Sequence, residues 1–259
     1  MARNNSSSSS NAPEPSNDTP PDRLAEPIDV EQPPRLAFAV VGIGASAGGL
    51  ESFIQFFKTM PADSGMAFVL IQHLPPDHQS LIAEILSRHT TMPVHEIEDG
   101  MSVEPDHIYV IRPGHTVTLR HGRLGLGPSL AKRGHGRPVD DFFRSLAEEQ
   151  RQRAICVVMS GMGSNGTTGA ENVKAVGGLC IAEDPEAAKF PSMPRSLIDH
   201  GLADFVLRTE EIPEVLLRYA RHPYAALIEP PQPEPQQERQ AVGEILAVLR
   251  ARLRHDFSG

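Results

Sequence analysis

Ser46 and His73 have the residue types and settings that nucleophilic catalysis needs. Gly44-Ala45-Ser46-Ala47-Gly48 fits the pattern G-x-S-x-G. That pattern places a serine on a sharp strand-to-helix turn, its hydroxyl exposed and its flanking glycines leaving room for a substrate. The helix start behind it offers unpaired backbone N–H groups and a positive dipole end, both suited to an oxyanion. The next apolar run, Met66–Ile71, ends in Gln72-His73-Leu74-Pro75-Pro76, which supplies an imidazole as general base. The same glycines also fit a loose dinucleotide fingerprint, Gly42-x-Gly44-x-x-x-Gly48. That reading wants an acidic residue about 20 positions on, at the end of the following strand. A histidine stands there instead, which favours nucleophile plus base over a cofactor loop. A nucleotide cleft and a plain glycine turn remain the alternatives, as does a loop histidine bonded to backbone.

The elements that must position these residues follow from pattern. Phe38–Ile43 is a strand-length apolar run, and Leu50, Phe53, Ile54, Phe57 and Met60 recur at helical spacing until Pro61. Asp77 is placed to cap a helix carrying Leu81, Ile82, Ile85 and Leu86. A β-rich section follows near residues 94–120, in Val94–Ile97, His107–Ile111 and Thr116–Arg120. Leu124 to Arg137 is glycine-rich and basic, a loop that either meets an acidic partner or simply crosses the surface. Pro138–Gln150 reads as a helix. Ala154–Met159 reads as a buried parallel strand entering a second glycine turn, Ser160–Gly169, and a helix follows over Ala170–Val176. Strands at Gly178–Ala182 and Phe205–Leu207, with helices through Ile198 and over Ile212–Tyr219, complete the alternation. The fold expected is α/β: a doubly wound, largely parallel sheet with helices on both faces and a small β-rich section. In such sheets chemistry gathers at the carboxyl ends of the strands near a topological switch point, where Ser46, His73 and the Met162–Asn165 turn would meet.

Composition narrows the class. The chain has 259 residues and a formal charge of −9, from 24 basic and 33 acidic side chains. That balance argues against nonspecific nucleic-acid binding. Cys156 and Cys180 lie in apolar strand runs and read as buried reduced thiols of a cytoplasmic protein. No run approaches membrane-spanning length, and the N-terminus lacks the regions of a secretion signal. The eleven histidines show no ligand spacing, so neither metal nor cofactor is expected. Residues 1–34 are polar and expected to be disordered, 35–222 form the α/β domain, 223–241 a Pro-rich linker and 242–259 an amphipathic helix.

Three segments together resemble the catalytic domain of the chemotaxis receptor (protein-glutamate) methylesterases. They are Gly42–Gly49, Gln72–Pro76 and Ser160–Gly166; Arg137-Pro138-Val139-Asp140 and Phe190-Pro191-Ser192-Met193-Pro194 agree, in the family's order. The resemblance runs from about Phe38 to Tyr219. It implies a serine hydrolase that removes methyl groups from glutamyl methyl esters on methyl-accepting chemoreceptors, with glutamine deamidation as a second reaction of some members. It implies Ser46 as nucleophile, His73 as general base, and backbone N–H groups near Ala47 and Met162 as the oxyanion hole.

Three features depart from the family pattern, of which the mildest is Ala47, where the family often has a threonine and the backbone N–H survives. The residue that orients the histidine is an aspartate in the family; here it is Asn165. An amide oxygen accepts the same hydrogen bond without a charge to stabilise the imidazolium. Three outcomes are open: an attenuated esterase, a noncatalytic module binding receptor helices or a signalling partner, or a substitute carboxylate such as Asp184. Deamidation of Asn165-Gly166 is a fourth route, back to an acid. The ends depart as well. The N-terminal segment is too short and polar for a receiver domain, so control independent of a phosphorelay is expected. Glu244–Gly259 resembles the opening helix of the receptor methyltransferases, which suggests the front part of a methylesterase–methyltransferase fusion.

Overall fold

Short apolar runs punctuated by glycine turns build one seven-stranded sheet, and what they bury decides where the site falls. Residues 36–72, 81–128 and 136–221 are described by the computed structural model. The N-terminal tail, the Pro-rich linker and final helix, most of the His73 loop with the Asp77 cap, and residues 129–135 lie outside them. The elements are β1 (Val40–Ala45), α1 (Gly49–Thr59), β2 (Ala67–Gln72), α2 (Ile82–Leu86), β3 (Val94–Glu96), β4 (Met101–Ser102), β5 (Ile108–Val110), β6 (His115–Arg120) and β7 (Arg123–Pro128). Then come α3 (Pro138–Gln150), β8 (Ile155–Val158), α4 (Thr167–Ala175), β9 (Leu179–Glu183), α5 (Ser192–Asp199), β10 (Phe205–Leu207) and α6 (Ile212–Arg221).

The main sheet has the order β10-β9-β8-β1-β2-β5-β3, and every pairing in it is parallel. After β1 the chain moves to β2 on one side, and it later returns to β8 on the other. The switch point therefore lies between the carboxyl ends of β1 and β8. Side chains of β1 alternate between two cores. Val41, Ile43 and Ala45 join α1's Phe53, Phe56 and Phe57 and α6's Ile212 and Leu216. Val40 joins α3's Val139, Phe142, Phe143 and Leu146, with Val173 of α4 and Leu197 of α5.

Gly42 and Gly44 lie on this second face of β1, and their role is packing. A Cβ at Gly42 would lie 2.8 Å from Phe142, and one at Gly44 would overlap Val139. The missing side chains let α3 sit directly on β1. Those two letters of the loose dinucleotide fingerprint are thus explained by helix–sheet contact, without a phosphate.

The β-rich section divides between two sheets. β3 and β5 extend the parallel sheet, whereas β4, β7 and β6 form a separate antiparallel sheet. Part of the expected basic loop is strand: Arg123–Pro128 is β7, paired along its length with β6. The period-2 signal there is Leu124 and Leu126 alternating with Gly125 and Gly127, and those glycines face Thr118 and Thr116 across the pair. The helix expected from Ala170 begins earlier, at Thr167, because Gly166 caps it in the left-handed conformation (φ 106°).

Candidate active site

Ser46 is the first residue beyond β1, half-buried, at the switch point. Its N–H donates to the Ser160 carbonyl beyond β8 (3.0 Å). Its own carbonyl accepts from the Gly49 N–H (3.1 Å) and from the Gln72 side-chain amide (3.0 Å). Gly48 takes φ 75° as the N-cap of α1, a left-handed conformation that a residue with a side chain enters at a cost. The chain thereby doubles back into the helix within three residues of the serine. The turn that follows β8 runs alongside: a Cβ placed on Gly161 would lie 3.1 Å from the Ser46 Cβ. Ser46 and the Gly161-Met162 segment, remote in sequence, are thus neighbours.

Gly161 is held on both sides. Its N–H donates to the Phe190 carbonyl (2.9 Å) and its carbonyl accepts from the Met193 N–H (3.1 Å). Phe190-Pro191-Ser192-Met193-Pro194 therefore clamps the turn. Met162, the next residue, is 64% exposed despite its apolar side chain. Among the described residues, the backbone N–H groups of Ala47 and Met162 have no acceptor. Backbone donors with no acceptor among the described residues, next to half-buried Ser46, are the kind of group that receives an oxyanion.

Asn165 is half-buried, and its Oδ1 accepts the backbone N–H of Asp140 at 3.2 Å. Asp140 returns the contact: one carboxylate oxygen accepts from Gly166 (2.9 Å) and Gly169 (2.8 Å), capping α4 from another helix. Its other oxygen pairs with the Arg137 guanidinium (2.5 Å), which also donates to the Ser164 carbonyl (2.9 Å). Arg137-Pro138-Val139-Asp140 is therefore the clasp of the Ser160–Gly169 turn. Asp184 serves its own turn, accepting the Glu186 N–H at 2.9 Å. His73 lies outside the described residues.

Four residues that hold this site are given no role by the sequence pattern, although Gln72, Ser160 and Asp140 lie in segments that carry the family resemblance. Ser160, Glu183 and Gln72 bond the Ser46 turn directly or at one remove, and Asp140 bonds the Asn165 turn. A polar residue closing a buried parallel strand is the available signal for Gln72 and Glu183. For Asp140, an acid in the first turn of a helix reads as dipole complement, which hides its reach to α4. Behind the site, Cys156 and Cys180 are free and buried with sulfurs 3.1 Å apart. Burial, followed by the neighbouring Cys180, pushes the Cys156 thiol well above the ordinary range.

The family model described as CheB methylesterase matches residues 41–216. The chain belongs to the CheB methylesterase family. It is 35% identical over 189 residues to the protein-glutamate methylesterase/protein-glutamine glutaminase of Thermotoga maritima, covering 71% of this chain and 55% of that protein. The Pyrococcus horikoshii protein of the same name is 34% identical over 199 residues, covering 75% and 53%. An uncharacterized 104.1 kDa protein of Rhodobacter capsulatus is 44% identical over 131 residues, which are 51% of this chain and 14% of that protein. The chain thus spans about half the length of the two named methylesterases and a small part of the third. The crystal structure of the Thermotoga maritima CheB methylesterase catalytic domain superposes with a TM-score of 0.64 at 34% identity, over 71% of this chain and 99% of that one. Among the described residues, no helix is long and apolar enough to cross a membrane.

Proposed function

We propose that this CheB-family domain hydrolyses glutamyl methyl esters on methyl-accepting chemoreceptors or related signalling proteins, with Ser46 as nucleophile. The observation carrying the reading is Ser46 at the switch point beside the backbone N–H groups of Ala47 and Met162, neither of which has an acceptor among the described residues. In the reaction, Ser46 Oγ attacks the ester carbonyl while His73 takes its proton. Ala47 and Met162 N–H groups hold the oxyanion. The tetrahedral intermediate collapses with loss of methanol, protonated by His73. Water, deprotonated by the same imidazole, then cleaves the acyl-enzyme and leaves a glutamate. Glutamine deamidation follows the same course with ammonia as leaving group.

Asn165 is the reason to expect attenuated turnover. Its oxygen accepts the Asp140 N–H, and the other branch of the amide is the NH₂ group, a donor with no charge to offer an imidazolium. An aspartate there would present an anionic acceptor instead, the group that holds an imidazole in its productive tautomer. The same feature favours a second reading, a module that binds receptor helices, or a methyltransferase domain, without turnover.

Methanol release from methylated receptor helices, comparing the parent, Ser46→Ala and Asn165→Asp, decides between them. The expected result is a slow parent, an inactive Ser46→Ala and a faster Asn165→Asp. In serine proteases, the reverse change from Asp to Asn at the orienting position lowers kcat about 10⁴-fold, which bounds the gain from above. A silent parent restored by Asn165→Asp supports the binding module. Silence in all three overturns the assignment of Ser46.

A further inference from the structure

Glu183 ends β9 as a carboxylate that is only 4% exposed, and among the described residues it has no cationic partner. A buried acid is retained only where donors satisfy it. Its Oε2 accepts the Ser160 N–H at 2.6 Å, and the Ser52 hydroxyl lies 3.1 and 3.3 Å from its two oxygens. Both donors belong to the supports of the nucleophile turn. Ser52 sits in α1, the helix that starts just beyond Ser46. Ser160, fully buried, bonds the turn twice: its carbonyl accepts the Ser46 N–H at 3.0 Å and its hydroxyl donates to the Ala47 carbonyl at 3.1 Å. The same hydroxyl accepts the Phe190 N–H at 3.0 Å, tying in the segment that clamps Gly161.

We infer that Glu183 is a positioning residue for Ser46: through Ser160 and Ser52 it fixes the peptide units on either side of the nucleophile and of the Ala47 donor. It acts through these neighbours rather than on the Ser46 hydroxyl itself. Its Oε2 sets the height of Ser160 against β1 while both oxygens face the Ser52 hydroxyl, and Ser160 sets the direction of the Ser46 N–H and the Ala47 carbonyl. The inference rests on the proposed esterase chemistry for its kinetic readout, but not for its structural one.

Two variants separate geometry from charge. Glu183→Gln keeps an acceptor oxygen for the Ser160 N–H and a polar group for Ser52 while removing the charge. Glu183→Asp keeps the charge but withdraws it by one methylene from both donors. Glu183→Asp is expected to lower kcat for methyl ester hydrolysis roughly 10- to 100-fold with KM little changed, since a displacement of about 1 Å costs that order. Glu183→Gln is expected to stay within about threefold of the parent on the same grounds. Hydrogen exchange of the peptide spanning Ala45–Leu50 is expected to speed up in Glu183→Asp and stay at the parent rate in Glu183→Gln, with β2 and β5 unchanged in both. Three results would overturn the inference: Glu183→Gln impaired beyond that range, Glu183→Asp matching the parent in kcat and exchange, or a loss appearing in KM alone. If the parent releases no methanol, the esterase reading fails, while the exchange pattern still decides the role of Glu183.

Discussion

Replacing Asp140 by alanine should loosen the second glycine turn more than any other polar substitution near the site. The Asp140 side chain is 8% exposed, and one of its oxygens accepts backbone N–H groups from Gly166 and Gly169 at 2.9 and 2.8 Å. Hydrogen bonds to a charged group contribute about 1.5–3 kcal/mol each, and removing the acceptor leaves both buried donors unpaired. The ion pair to Arg137 adds little, about 0–1 kcal/mol, because that guanidinium is 48% exposed. Asp140→Ala is therefore expected to cost about 3–5 kcal/mol, a large share of the stability of an ordinary domain. Asp140→Asn keeps an oxygen on both N–H groups and loses only charge assistance, so about 1–2 kcal/mol is expected. Urea unfolding followed by circular dichroism measures both, with an unchanged slope required for the comparison. The reasoning fails if Asp140→Ala costs under about 1 kcal/mol, or if the asparagine costs as much as the alanine.

Three further outcomes follow from the structure. Gly44→Ala, whose Cβ would overlap Val139, is expected to cost about 1–3 kcal/mol in urea unfolding, and Val139→Ala in the same chain should recover part of it. Cys156 and Cys180, fully buried, with the Cys156 thiol pushed up by burial, should be inert to Ellman's reagent in native buffer and titrate fully in denaturant; fast native labelling would contradict that packing. The Glu51 carboxylate is held below its ordinary range by its own backbone N–H and then by Lys189, so it favours the folded state above the usual glutamate range. That contribution is lost as pH falls through the lowered folded value; Glu51→Gln should thus be the less stable at pH 7, and the gap should close in acid, as thermal unfolding across pH would show.

Most of the fold is legible in the sequence because alternation of apolar runs and glycine turns is a strong local signal. Ile155–Val158 and Met66–Ile71 could be little other than buried parallel strands. What escapes is non-local. Nothing near Val94 or Ile108 says that they pair with each other and join β2, since pairing partners are chosen by packing rather than by the strand's own letters. β7 is hidden because its glycines weaken the strand pattern unless the opposing threonines are known. The candidate site shows the same division. Ser46 stands out by its turn chemistry, whereas Asp140 and Glu183 act on backbone groups 26 and 23 positions away and carry no local signature of doing so. Gly42 and Gly44 illustrate the opposite hazard: a phosphate-like spacing whose cause is the approach of α3.

Position 165 separates the geometry of this site from its charge. The turn from Ser160 to Gly169 is held by Glu183 at one end, Phe190 and Met193 beside it, and Arg137 and Asp140 at the other. The contribution of Asn165 to that scaffold is one oxygen on the Asp140 N–H, and an amide or a carboxylate can supply it. An asparagine therefore leaves the backbone of the cleft as an aspartate would, including the Met162 N–H. Under the proposed esterase reading, what it withholds is the second oxygen and the charge, which hold the imidazole tautomer and stabilise the imidazolium. A fold and a turn that match the methylesterases consequently constrain binding and oxyanion placement far more tightly than turnover. Asn165→Asp should raise kcat with little change in stability or KM, the signature of an interaction made only in the transition state. A gain in stability or substrate affinity without a gain in kcat would show instead that position 165 belongs to the scaffold.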